Sequence, residues 1–196
     1  MKTILALSTI CLLIGGLFIN TGCNNQKPHE RSYAIVAEFA RDSNKHMKDN
    51  LNRRVFDTLI SSEGKDITLE KDGSVTLEPG TYHINGYSLV TTQVTMAPPI
   101  PNDSNNYPGY CLLYPKQFES DTTALSHNIA VGSPATALNT TPSLFDVFYT
   151  VKERTTICLG HQVGKDLNGQ VYLSVYDVGG IPSNYHVFAQ MCVERM

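Results

Sequence analysis

The stretch DITLEKDGSVTLEPGTYHINGYSLVTTQ, residues 66–93, constrains the fold more than any other part of the chain. Ile67 and Leu69 alternate with Thr68 and Glu70, and Val75 and Leu77 alternate with Thr76 and Glu78. Successive side chains of a strand point to opposite faces, so this two-residue period describes antiparallel strands with one face buried. Asp72-Gly73 between the two runs is a hairpin signal, because tight hairpin turns need positive φ. Glu78-Pro79-Gly80 turns the chain again, with proline presetting φ and glycine supplying the position that other residues avoid. Tyr82 and Ile84, then Tyr87 and Leu89, continue the period with a change of phase near Gly86, which predicts a bulge there. A helix would repeat every 3.6 residues and cannot give this pattern.

The rest of the chain reads in the same way. Strands are predicted over 33–39 (YAIVAEF), 51–60 (LNRRVFDTLI), 110–115 (YCLLYP), 126–134 (SHNIAVGSP), 144–151 (LFDVFYTV), 155–162 (TTICLGHQ), 170–178 (QVYLSVYDV) and 185–196 (YHVFAQMCVERM). Met47, Leu51, Val55 and Leu59 recur every four residues, so one long helix over 33–62 competes with strands. Asp42-Ser43-Asn44 and Asp49-Asn50 are loop chemistry and favour the strands. Lys152-Glu153-Arg154 predicts a hairpin joining 144–151 to 155–162. Residues 96–109 form a long loop rich in proline and asparagine, which cannot be a central strand. About ten short strands at this spacing, without convincing helices, predict an all-β sandwich or barrel.

The first residues belong to a different story. Lys2 is followed by an uncharged run, 4–19, that falls short of the ~20 apolar residues of a membrane span. A basic start, a short apolar core and a small-residue exit describe a secretory signal. Thr21-Gly22-Cys23 is similar to the lipobox of bacterial lipoproteins, in which the cysteine thiol takes a diacylglyceryl group. Asn20 departs from it where an apolar residue usually stands. The expected organisation is a lipoprotein-type signal over 1–22, a polar tether over 23–32 and a folded domain over 33–196. Cys23 is the candidate lipid attachment site, and the cell envelope is the expected location. Plain secretion and a retained membrane anchor are the alternatives.

Without the signal, 14 basic side chains face 18 acidic ones, a net charge of −4. Nucleic acid needs a basic footprint, so this balance argues against it, and it offers anionic lipid no electrostatic attraction. Cys111, Cys158 and Cys192 lie in apolar strand contexts and read as buried small hydrophobes, with one cross-strand pair as the alternative. No Cys-x-x-Cys occurs, which disfavours a zinc ribbon or a thioredoxin-type site.

Four further features invite a chemical reading. His83 follows a turn, but residue 85 is Asn, so the paired His-x-His of a jelly-roll metal site is missing and an exposed strand position is the plainer account. Cys158 and His161 are three apart, which puts them on opposite faces of a strand unless the chain turns at Gly160. Asp57 and Asp166 are isolated carboxylates that could join a calcium site or serve turns. Ser133 lies in Val-Gly-Ser-Pro, which is no nucleophile elbow. Tyr107, Tyr110 and Tyr114 cluster beside the proline-rich loop. Exposed tyrosines among Asn, Ser and Gly make an adaptable binding surface, while the bland account is that tyrosine suits strands.

The order of these pieces resembles the tumour necrosis factor-like jelly roll, in particular its complement globular-head branch. Phe56-Asp57 leads into the 67–77 hairpin and then Pro79-Gly80-Thr81-Tyr82-His83-Ile84. Gly164-Lys165-Asp166, Val171-Tyr172-Leu173 and Val187-Phe188 match the pattern near its end. The resemblance covers roughly 33–93 and 164–196; loop 96–109 and the missing stalk depart from it. It implies a jelly-roll sandwich, a homotrimeric binding head and no shared catalytic residues; some complement-type heads hold calcium, which Asp57 and Asp166 could join, but the residues themselves lead us to expect no metal and no cofactor. The reading favoured by the sequence is therefore an exported, lipid-anchored domain that binds an unidentified protein or glycan. A jelly-roll enzyme built around His83, His161 and Asp166 is the second reading, and a structural envelope component the third.

Overall fold

Alternation decides which side of each strand is buried, and those buried sides meet in one sandwich. The computed structural model describes residues 31–39, 44–92, 107–137, 140–164, 171–176 and 186–196, all within one compact unit, Arg31–Met196. The strands are β1 (Tyr33–Phe39), β2 (Lys45–His46), β3 (Asn50–Arg53), β4 (Thr58–Glu63), β5 (Ile67–Leu69), β6 (Val75–Leu77), β7 (Gly80–Ser88), β8 (Thr91–Thr92), β9 (Pro108–Pro115), β10 (Ala130–Val131), β11 (Ala135–Thr136), β12 (Ser143–Val151), β13 (Thr155–Val163), β14 (Val171–Ser174) and β15 (Val187–Arg195). One sheet has the order β12-β7-β15-β1-β4. The second has the order β10-β9-β13-β6-β5, with β11 on β9 and β3 on β13. A small third sheet, β2-β14-β8, carries its own cluster of Met47, Val90, Val171 and Leu173. Every ladder among the described residues is antiparallel. Val36, Ile84 and Met191 from the first sheet meet Leu113, Ile157 and Leu159 from the second in the main core. This is the all-β jelly-roll sandwich that the alternation predicts.

Several local expectations change. Residues 144–151 and 155–162 do not form a hairpin: β12 pairs with β7, and β13 with β9, β6 and β3. Lys152-Glu153-Arg154 instead carries the chain from one sheet to the other, because both strands bury residues in the same core from opposite sides. The predicted bulge at Gly86 is absent, since the ladders to β12 and β15 keep register through it. A Cβ at Gly86 would lie 2.2 Å from the Gln190 carbonyl and 3.1 Å from Phe145. Glycine there preserves the inward phase Tyr82, Ile84, Gly86, Ser88 and makes room for the Phe145 ring. Register shifts fall instead in β1, at Ile35/Val36 and Glu38/Phe39, and in β14, at Tyr172/Ser174.

The Asp72-Gly73 turn does join β5 to β6, with Gly73 at φ +80°. The strand reading of 51–60 holds over its helical rival, but the stretch is divided: β3 joins the second sheet and β4 the first. Only 130–131 of the expected strand 126–134 is paired. A helix stands just before it, α1 (Asp121–Ser126), capped by the Ser120 hydroxyl accepting from Thr123 N at 3.2 Å. Ala124 of this helix lies in a cluster with Leu112, Tyr114 and Cys158 on the outer side of the second sheet. That second cover explains why YCLLYP is apolar on both faces.

Between the sheets sits a fully buried cation. Arg54 Nε donates to Ser88 Oγ (2.8 Å), Nη1 to the Leu173 carbonyl (2.6 Å) and Nη2 to the Leu89 carbonyl. Its Nη1 is 3.5 Å from Glu38 Oε2, and its backbone N–H donates to the Leu159 carbonyl at 2.8 Å. Glu38 is buried too, and also accepts from Lys45 Nζ (3.2 Å) and Val55 N (3.3 Å). Removing one partner of such a network leaves a charge and several carbonyls without compensation. Arg54→Met is therefore expected to lower unfolding free energy by about 3–5 kcal/mol in a denaturant titration. A loss under about 1 kcal/mol would show that the guanidinium is dispensable.

Candidate functional site

The buried network continues into β13. Ser88 Oγ is 2.9 Å from His161 Nδ1. Ser88 thus joins the guanidinium to the imidazole, accepting from Arg54 Nε and sharing one hydrogen bond with His161 Nδ1. Nε2 has no hydrogen-bond partner among the described residues. Burial, with Arg54 adding to it, pushes the His161 pKa down to about 3. His161 is thus a neutral internal strut. Cys158 faces the other side, with Leu112 and Tyr114, and burial pushes its thiol up to about 12. β13 stays in register through Gly160, so Cys158 and His161 do not make a thiolate–imidazole pair.

The other expected site residues are placed as follows. His83 is half-exposed on β7, its Nε2 2.8 Å from Asp146 Oδ1 and its ring stacked on Phe148 at 4.8 Å. Asp57 is exposed and accepts from the Thr58 hydroxyl at 2.7 Å. Among the described residues, no group of three or more His, Cys, Asp and Glu is placed to hold a metal. Cys111 and Cys158 are buried thiols and Cys192 is half-buried, none of them disulfide-bonded. Cys23 and Asp166 lie outside the described residues, as does most of loop 96–109. The tyrosine cluster is corrected. Tyr107 packs in the cluster with Met47 and Val90, and Tyr114 in the one with Leu112 and Cys158. Tyr110 is half-buried against the latter. With Tyr107 and Tyr114 buried and Tyr110 half-buried, the three do not form one exposed surface.

Exposed large apolar side chains occur at several places, among them Leu59, Ile60, Val131 and Tyr176, and two of the most exposed, Phe148 and Leu144, share the outer face of the five-stranded sheet. Phe148 pairs with His83, His83 with Glu194, and Glu194 with Tyr33. The next row on the same face is Asp146, Asn85, Cys192 and Ile35, followed by Leu144, Tyr87 and Gln190. Phe148 is 65% exposed and Leu144 56%. Tyr33, Ile35, Tyr87 and Cys192 are half-buried. Charge on the face is partly paired, since Arg31 Nε lies 3.4 Å from Glu194 and over the Tyr33 ring at 5.0 Å. Large exposed apolar groups on an edge strand, backed by further apolar groups on its neighbours, mark an interaction face. The sequence signal was the alternation of β12, which puts Leu144 and Phe148 opposite the buried Phe145 and Val151.

No family model matches the chain, and no curated protein matches it in sequence. Its fold is similar to that of murine APRIL. The crystal structure at pH 8.0 matches with a TM-score of 0.51 and 8% identity, over 85% of this chain and 100% of that one. The crystal structure at pH 8.5 matches over the same shares with a TM-score of 0.50 and 8% identity. At this identity the likeness is one of fold: the domain is a jelly-roll sandwich similar to that of murine APRIL.

The His161 pKa makes a pH prediction. Unfolded, the imidazole returns to about 6.5 and takes a proton that the folded chain refuses. Its contribution to stability is whole above about pH 6.5 and is lost as pH falls toward 3, by up to about 1.4 kcal/mol per unit. Urea unfolding at several pH values between 7 and 4 is expected to show that decline. His161→Asn, which keeps an acceptor but gains no proton, is expected to flatten it. An unchanged slope would place the acid sensitivity elsewhere.

Proposed function

We propose that this chain is an exported binding module, anchored through a lipid on Cys23, whose jelly-roll domain self-associates as a homotrimer and acts by binding rather than by catalysis. The observation that carries the reading is the exposed apolar face around Phe148, Leu144 and Tyr87 on the five-stranded sheet. A closed three-fold arrangement would bury that face on every protomer at once. The loops at the ends of the sandwich would then meet a protein or glycan partner. The basic start, short apolar run and Thr21-Gly22-Cys23 support export and lipid attachment.

Sedimentation velocity of the mature chain carrying Cys23→Ala tests the assembly. The expected result is a trimer that Phe148→Glu converts to a folded monomer, because a charge there would be desolvated without a partner. A wild-type monomer at all concentrations would contradict the reading. The intact mass of protein extracted from the membrane fraction tests the anchor. A chain starting at Cys23 and carrying diacylglycerol is expected; a soluble, unmodified chain cut elsewhere would overturn it.

A further inference from the structure

Phe148 is the most exposed large apolar side chain among the described residues, and its ring lies against a histidine. The His83 and Phe148 rings are only 21° from parallel, with centroids 4.8 Å apart, so a surface that covers one covers both. His83 Nε2 also reaches Asp146 Oδ1 at 2.8 Å, and the Asp146 side chain is 68% exposed. Phe148, His83 and Asp146 therefore form one exposed unit at the β12 edge of the outer face.

The charge around this unit is unbalanced. The outward positions of the five strands carry the carboxylates Asp146 on β12, Glu194 on β15 and Glu63 on β4. Arg31, just before β1, pairs with Glu194. Among the described residues, no lysine or arginine stands at an outward position of these strands. With His83 neutral the face is net negative, and a proton on His83 brings it nearer to balance. The other ionisable groups there hold their protons. Burial raises the Tyr87 phenol, against Arg54. Burial, with Glu194 adding to it, pushes the Cys192 thiol up. The Tyr33 hydroxyl shares a hydrogen bond with Ser61 Oγ at 3.2 Å. Histidine is the side chain type whose charge changes between about pH 5 and 8.

We propose, on the reading of this face as the contact between copies of the chain, that His83 tightens self-association in acid. Closing the face takes Asp146 out of water beside Phe148, and a buried carboxylate is costly unless it is paired. A neutral imidazole offers Asp146 a hydrogen bond alone, whereas an imidazolium offers the opposite charge as well. A cation against the Phe148 ring also gains as water leaves. Faces that are less negative repel each other less as they meet. The assembled state thus holds the His83 proton more tightly than the separate domain does. By linkage, lowering the pH favours assembly, and that gain is lost as the pH rises.

The test is sedimentation equilibrium of the mature Cys23→Ala chain from about pH 8 to about pH 5.5 at constant ionic strength, across the range in which histidine changes charge. Circular dichroism of the same samples reports that the domain stays folded. Association is expected to rise about tenfold per protomer, the equivalent of one pKa unit of coupling. His83→Gln keeps a donor for Asp146 but gains no charge, and is expected to assemble without that rise. Asp146→Asn is expected to associate more tightly than the wild type at the alkaline end, because the uncompensated carboxylate is gone. A trimer of unchanging strength across the range, or a rise that survives in His83→Gln, would overturn the proposal and leave the trimer standing. A wild-type monomer at every pH would overturn both.

Discussion

The structure depends on one buried guanidinium. Arg54 reaches Ser88 on the first sheet, the Leu173 carbonyl on the third, the Leu89 carbonyl just beyond β7 and, through its backbone, β13 of the second. Burial lowers its pKa, against the raising effect of Glu38, but an arginine remains protonated even so. Such an ion costs desolvation, and only a full set of acceptors offsets that cost. The guanidinium's partners come from the first and third sheets and from Leu89, while the residue's own N–H is held by β13 of the second, so the pairing is satisfied in one arrangement of them. Non-directional apolar burial at the Val36–Leu113–Met191 core would tolerate small sliding of one sheet on the other; fixed hydrogen bonds from Arg54 do not. The network thus sets the registry of the sandwich, while the apolar core supplies most of the driving force.

This internal arrangement accounts for the division between inside and outside chemistry. The residues with chemical potential, His161, Cys111 and Cys158, are spent on packing, with the histidine held neutral and both thiols pushed up by burial. The outer face of the five-stranded sheet keeps exposed apolar side chains along β12. That surface feature is suited to recognition and is the basis for reading the domain as a binding module.

Much of the fold was legible because the two-residue period is a local property. The hairpin 67–77, β7, β14 and the closing strand followed from alternation and from Asp-Gly and Pro-Gly turns. What alternation cannot give is partnership between strands. β12 and β13 are adjacent in sequence and look like a hairpin, yet they belong to opposite sheets, because the pairing is decided by which face each must bury. Gly86 resembled a bulge because the apolar residues Tyr87 and Leu89 changed phase; the inward positions at that point are a glycine and Ser88, whose small size the core and Arg54 require. Tyr107 and Tyr114 suggested a surface because they stand near the proline- and asparagine-rich loop, but Tyr107 is buried in the cluster of Met47 and Val90, and a short helix that no apolar period announces covers Tyr114. Arg54 could have been found: Asn52, Arg54 and Phe56 share one phase, as do Ala34, Val36 and Glu38, so both charges fall on inward positions.

Cys192 provides the most direct test of the outward face, since it stands in the middle row between Asn85 and Ile35 while the other two thiols in the domain are buried. The measurement is short bis-maleimide cross-linking of the mature Cys23→Ala chain in its native state, followed by mass analysis. If this face joins protomers around a three-fold axis, a covalent dimer through Cys192 forms and disappears in Cys192→Ser. Complete single labelling of Cys192 with no dimer would mean that the face is turned to solvent, and the account of assembly would be wrong.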